Sequence, residues 1–274
     1  MTDATDLLPG FEERFRDVRG TRIRWFEGGG DGPPILLLHG FGGAAWNFTE
    51  LVPLLAVRRL LIPDLPGHGA SEPLPAPSIA GFADAVAGLL DGPVGALGHS
   101  MGGVVALRLA ERHPELVRAL VLAAPAGISS STRSAELTLG LAGLVQPARI
   151  AGRRVDRIAR SPRLKRLVFG RYEVANADAL SERSVHGFLR GPLLHTDALG
   201  AGLALARDDP RQSLESVRCP ALVLFGGRDK QVPLDDGIQY ARRLQAPLRV
   251  IADCGHLLIG ERPDAVARAA LEVL

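Results

Sequence analysis

Gly98-His99-Ser100-Met101-Gly102 brings together the residue types in this chain that come closest to chemistry. An apolar run, Val94 to Leu97, leads directly into it, and a segment with helical spacing, Met101 to Arg112, leads directly out. A strand that turns abruptly into a helix strains the backbone of its central residue, so small neighbours are required, and Gly98, Gly102 and Gly103 supply them. Such a turn lifts a serine hydroxyl above the sheet, beside free N–H groups and the positive end of a helix dipole. The same pattern also describes a glycine-rich turn whose serine only caps a helix. Catalysis would further need a base, because a serine hydroxyl is a weak nucleophile at neutral pH.

Seven histidines are available as that base. His256 follows the last strand-like run, in Asp253-Cys254-Gly255-His256, which places it on a loop at the same C-terminal sheet edge as Ser100. His113 falls at the far end of the helix after Ser100 and reads as a surface residue. His186 and His195 fall in a helical stretch, where exposure or substrate contact is expected, and His39, His68 and His99 belong to loop motifs. The acid that orients the base should end a neighbouring strand, and Asp229 does so in Phe225-Gly226-Gly227-Arg228-Asp229. A solvated turn aspartate, or a partner for Arg228, is the plainer account of it. The other loop that could supply an acid, Ala124-Pro125-Ala126-Gly127, has no carboxylate, and Asp253 is too close to His256 in sequence to replace Asp229.

An oxyanion formed at Ser100 would need two N–H donors. Met101 supplies one. His39-Gly40-Phe41-Gly42-Gly43 follows another strand-like run, and its glycines let backbone approach substrate, so Phe41 N–H is the expected second donor, with Gly42 as a substitute. A phosphate-cradling loop is excluded by the absence of a Lys-Ser/Thr pair and of G-x-G-x-x-G spacing.

The elements that must position these residues are legible as alternation. Phe11 to Val18 and Arg22 to Glu27 read as an antiparallel pair around Gly20. Ile35 to Leu38, Leu60 to Ile62, Val94 to Leu97 and Leu120 to Ala123 read as buried strands, with helical spacing in Asn47 to Val57, Ile79 to Leu90 and Met101 to Arg112. After Pro125 only helix-like segments occur until about Ser213. Strand signals return at Ala221 to Phe225 and Leu248 to Ile251, with helices around Asp235 to Leu244 and Pro263 to Leu274. The expected organisation is a core of residues 1–125 and 214–274 with a helical cap, 126–213, inserted in it.

With these motifs the chain resembles the α/β-hydrolase superfamily from Arg22 to the final helix, and Asp64-Leu65-Pro66-Gly67-His68-Gly69-Ala70-Ser71 adds to the match as the turn after the fourth strand. The order Ser100, Asp229, His256 is the superfamily's order of nucleophile, acid and histidine. The resemblance implies an α/β fold, an eight-stranded, mostly parallel sheet with helices on both faces and a helical cap over the site. It also implies acyl transfer through an ester on Ser100, with His68 as a turn residue and no cofactor. Ser100 argues against haloalkane dehalogenases and epoxide hydrolases, whose nucleophile is aspartate. Carboxylesterases, carbon-carbon bond hydrolases of aromatic ring-fission products and cofactor-free perhydrolases all fit. The carbon-carbon hydrolases usually carry tryptophan after the catalytic histidine, where this chain has Leu257. A ligand receptor on the same fold is the non-enzymatic alternative, disfavoured by a base aimed at the serine.

Composition narrows the partners. Across 274 residues, 46% apolar and 23% charged residues with a net charge of +2 fit a folded protein and name no nucleic-acid partner. Met1 to Gly10 shows no secretory signal and no run reaches membrane-span length, so a cytoplasmic location is the default expectation. Cys219 and Cys254 flank different strands at opposite ends, roughly 15 Å apart at ~3.3 Å per residue, too far to bridge, and no cysteine or histidine cluster has zinc spacing. The expected partner is a small ester with an apolar acyl or aryl group, held by cap residues such as Leu137, Leu139, Leu141, Leu144 and Val145, which core packing would explain equally well. Residues 149–171 hold nine basic side chains against Asp156, with Ile150, Val155, Ile158, Leu164, Leu167 and Val168 between them, as in two amphipathic helices broken at Pro162. Such a face is ordinary solvated surface, or it steers anionic substrates or touches an anionic membrane. The sequence does not fix the oligomeric state.

Overall fold

The computed structural model describes residues 7–170 and 172–274. Asp3, Asp6, Arg171 and the side chain of Leu139 lie outside the described residues. Eight strands form one sheet in the order β1-β2-β4-β3-β5-β6-β7-β8. They are β1 Glu12–Val18, β2 Thr21–Gly29, β3 Gly32–Leu38, β4 Arg58–Pro63, β5 Val94–His99, β6 Val117–Ala123, β7 Ala221–Gly226 and β8 Leu248–Ile251. β2 runs antiparallel to both its neighbours, and every other pair is parallel. Val18 pairs with Thr21 across a two-residue turn in which Arg19 and Gly20 both have positive φ, 53° and 83°. That is a type I′ hairpin, whose twist matches the flanking strands.

The central strands are buried on both faces, which is why they read as continuous apolar runs and not as alternation. Ile35 and Leu37 of β3 point into one core with Leu97, Val121 and Leu224. Leu36 and Leu38 point into the other with Ala96, Leu122 and Phe225. Each such leucine contributes about 2 kcal/mol relative to an exposed one. Helices α1 Val52–Leu55, α11 Leu258–Glu261 and α12 Pro263–Leu271 cover the first face, and α2 Ile79–Ala87, α3 Met101–Arg112 and α10 Leu234–Leu244 cover the second.

Between β6 and β7 the described residues hold helices and no strand: α4 Arg133–Val145, α5 Pro147–Gly152, α6 Val155–Arg160, α7 Pro162–Val168, α8 Glu182–Arg190 and α9 Ala198–Arg207, with short 3-10 turns. Val155, Ile158, Val185 and Phe188 of α6 and α8 join the first core, while Ala201, Ala204 and Leu205 of α9 join the second. The insertion therefore straddles the C-terminal edge of the sheet.

Three expectations about elements are corrected. Asn47 to Val57 is not one helix: a 3-10 turn, Ala45–Phe48, precedes the four-residue α1, because Pro53 has no N–H to continue an earlier helix. The basic stretch forms three helices, α5 to α7, breaking at Arg153 and Arg154 as well as at Ser161. Helices of six or seven residues cannot carry one long apolar stripe, so Val155 and Ile158 are buried while Ile150 and Leu167 face solvent. On α4, Leu137, Leu141, Leu144 and Val145 are exposed, Leu137 by 77%. The 3.6-residue period sets half-buried Ala142 and exposed Thr138 along the cavity in their place.

Candidate active site

Ser100 stands between β5 and α3 at φ 53°, ψ −120°. Such a conformation costs on the order of 1–3 kcal/mol and persists only where the surroundings over-determine it. Here they do: Ser100 N–H donates to the Ala123 carbonyl at 2.9 Å, and the Ser100 carbonyl accepts from Gly103 at 2.9 Å and Ala126 at 3.2 Å. A Cβ on Gly98 would lie 2.2 Å from the Gly102 carbonyl, and one on Gly102 would lie 2.1 Å from the Leu38 carbonyl. Only glycine fits either side of the turn.

His256 follows β8, and Asp229 follows β7, so adjacent parallel strands deliver both to the edge where Ser100 sits. His256 Nε2 is 3.0 Å from Ser100 Oγ. His256 Nδ1 is 2.8 Å from Asp229 Oδ2, and both side chains are almost fully buried. Asp229 Oδ1 also accepts N–H bonds from Gln231 at 2.8 Å and Val232 at 3.0 Å. Burial pushes this carboxyl upward, but the histidine hydrogen bond, the histidine charge and the two N–H groups outweigh it and hold the acid below its usual range. A carboxylate at Nδ1 requires the proton there, which leaves the Nε2 lone pair facing the serine hydroxyl. Arg228 pairs with exposed Asp253 at 2.8 Å, so it does not compete for Asp229.

The other histidines divide by their contacts. His99 Nε2–H donates to the His256 carbonyl at 2.9 Å and fixes the histidine loop from below. Burial, aided by His256, pushes His99 down to about 3. His113 pairs with Asp84 at 2.8 Å on the far side of the molecule, and His186 lies 3.5 Å from Asp156. His39, His68 and His195 pack edge to face in a row, with ring centroids 5.1 and 5.0 Å apart. Each accepts a backbone N–H: His39 from Leu65 at 3.0 Å, His68 from Gly42 at 3.2 Å and His195 from Gly69 at 3.0 Å. Burial lowers all three, His195 to about 4, so the row is neutral. The Gly42 bond corrects an expectation, because an N–H committed to His68 is no substitute oxyanion donor. Phe41 N–H makes no bond among the described residues, and Met101, first in α3, has no intrahelical acceptor.

Above Ser100 lies a cavity of about 600 Å³ whose walls include Phe41, His256, Val168, Phe169, Phe188, Leu189 and Leu205. Leu137, Leu141, Leu144 and Val145 do not line it. Most of its roof comes from the insertion, including Arg149, Glu173 and His195. No sequence motif marks Glu173 or Arg149 as site residues, and nothing short of the fold brings them to the cavity. A further group without a motif is Glu261, whose buried carboxylate accepts N–H bonds from Gly255 at 2.7 Å, Ala175 at 3.2 Å and Asn176 at 2.6 Å. It ties the histidine loop to the insertion. Both cysteines are free thiols, and among the described residues no cluster could hold a metal ion and no helix is long and apolar enough to cross a membrane.

A strained serine at the turn from β5 into α3, with an acid after β7 and a histidine after β8 at the same sheet edge, defines the class as an α/β hydrolase. The chain matches the alpha/beta hydrolase fold family over residues 33–263 and belongs to it. It is 33% identical over 98% of its length to the dihydrolipoyllysine-residue acetyltransferase component of the acetoin cleaving system of Pseudomonas putida, covering 71% of that protein. It is 32% identical over 80% of its length to the pimeloyl-[acyl-carrier protein] methyl ester esterase of Neisseria meningitidis serogroup B, covering 83% of it. Among solved structures, a thermophilic esterase from Thermogutta terrifontis superposes with a TM-score of 0.73 at 26% identity, over 95% of this chain and 97% of the other.

Proposed function

We propose that this α/β hydrolase cleaves carboxylic esters through an acyl-enzyme on Ser100. The observation that carries the reading is the unbroken relay from Ser100 Oγ through His256 at 3.0 Å to Asp229 at 2.8 Å. His256 Nε2 takes the serine proton as Oγ attacks the ester carbonyl, and the N–H groups of Phe41 and Met101 hold the oxyanion, each worth about 3 kcal/mol. The imidazolium, stabilised by Asp229, then gives its proton to the departing alcohol. Water, deprotonated by His256, attacks the acyl-enzyme and releases the acid and Ser100.

Residues 126–213 act as a cap in this reading, since α5, α8 and the segment around Glu173 wall the cavity. The apolar walls at Val168, Phe169, Phe188 and Leu189 suit an apolar acyl or aryl group. The ester-cleaving activity in the names of the Neisseria and Thermogutta relatives supports ester chemistry. A fluorophosphonate probe with a panel of esters of graded acyl length tests the proposal. Labelling that disappears in Ser100→Ala, with turnover of at least one ester, is expected. Folded protein that neither labels nor turns over would overturn it.

A further inference from the structure

We propose that Glu173, with Gln231, forms a subsite for the alcohol portion of the ester and selects substrates whose alcohol carries a hydrogen-bond donor, a hydroxyl or an ammonium. The inference rests on ester cleavage at Ser100. Glu173 is placed by its backbone: its N–H donates to Phe169 at 3.0 Å, and its carbonyl accepts the Leu257 N–H at 3.0 Å, one residue beyond His256. Its side chain lines the cavity. The carboxyl's neighbours there are the Gln231 side chain, His256 and Asp229. Gln231 is itself fixed, because its N–H holds Asp229 Oδ1 at 2.8 Å.

Among the described residues, no lysine or arginine is one of the groups acting on this carboxyl. Burial pushes it up from the usual carboxylate range, against the pull of His256 and Gln231. Withdrawing an acid from water is unfavourable, and glutamine of the same shape could sit beside Gln231 without that cost. A half-buried acid in a cleft beside the general base is the pattern of a ligand-facing group. Its place fixes which part of the ligand it meets. The leaving oxygen must take its proton from His256 Nε2, so the alcohol portion has to pass the wall next to His256, which Glu173, Gln231 and Leu257 form. A donor there would satisfy the carboxyl, and a charge-assisted hydrogen bond of this kind favours the donor substrate roughly 10- to 100-fold.

The test uses two isosteric pairs of esters with one shared hexanoyl group: 2-(dimethylamino)ethyl against 3-methylbutyl, and 2-hydroxyethyl against propyl. For each pair the ratio of kcat/KM is measured in wild type, Glu173→Gln and Glu173→Leu, with fluorophosphonate labelling and Tm as controls. Wild type is expected to favour each donor ester by roughly 10-fold or more. Glu173→Gln should lose the ammonium preference and keep part of the hydroxyl preference, and Glu173→Leu should lose both. If wild type labels on Ser100 yet shows ratios near one, or if the preference survives in folded Glu173→Leu, the subsite is wrong and ester cleavage stands. If wild type neither labels nor turns over any of the four esters, both proposals fall together.

Discussion

On the sheet side of the cavity, Ser100, Asp229 and His256 stand on loops leaving strands that are buried or paired in a parallel ladder, whereas on the opposite side Arg149, Glu173 and His195 come from an insertion of short helices whose outer faces expose Leu137, Leu141 and Leu167. The first group is over-determined. Ser100 alone has three backbone hydrogen bonds, and no Cβ fits at the flanking glycines. The second is tied to the core by long-range bonds, among them those of the Glu261 carboxylate, the Leu257 to Glu173 bond and the Gly69 to His195 bond. Chemistry that tolerates errors of about half an ångström needs the rigid side, while recognition can be built on loops and short helices.

Breaking the sheet side should give the largest effects. Ser100→Ala is expected to lower kcat by about 10⁵- to 10⁶-fold while leaving Tm within a few degrees, measured with contaminant-free protein on the best ester. Retention of more than a small fraction of wild-type rate would remove Ser100 from its role. For Asp229→Asn the expected loss is about 10⁴-fold in kcat, because an amide no longer selects the tautomer with a free Nε2. Asp253→Asn is the control: among the described residues Asp253 pairs only with exposed Arg228, and a larger loss there than at Asp229 would reverse the assignment.

Acid should separate the two sides through the buried histidines. His99 and His195 are pushed down to about 3 and about 4, below the ordinary value near 6.5. The unfolded chain therefore binds more protons than the folded one between those values. The stability due to neutral burial is complete above about pH 6.5 and is lost as pH falls through that window. Each histidine should remove about 2 kcal/mol between pH 7 and pH 5, so denaturant unfolding at the two values should show a clear drop. His99→Asn should make that drop smaller by about 2 kcal/mol; an equally steep profile in the variant would contradict the assignment. The smallest effect belongs to the outer face of the insertion. Leu141→Ser should change stability by less than about 0.5 kcal/mol and leave kcat/KM for a soluble ester unaltered, since the side chain faces solvent away from the cavity. A large loss of either would show that α4 packs against something the isolated chain does not contain.

Glycines at 98, 102 and 103, the order serine, acid, histidine, and apolar runs of strand length are local properties, dictated by backbone sterics and by burial on both sheet faces. They determined the sheet, its strand-to-helix turn and the residues brought together at its C-terminal edge. The break at Pro53 was also local, yet the helical spacing of Asn47 to Val57 hid it. What lay beyond the sequence was every property that depends on how the insertion sits. Leu137 and Leu141 repeat at helical spacing whether that face meets a cavity or water, and only the packing of α4 against α9 turned it outward. His68 reads as a turn residue from its motif, but that its ring accepts the Gly42 N–H, 26 residues away, follows only from the fold. Glu173 belongs to no motif, and it lines the cavity because the segment carrying it is tied to the histidine loop through Leu257. Periodicity states that a helix has two faces, but the partner that covers one of them is a long-range contact, and no short stretch of sequence encodes it.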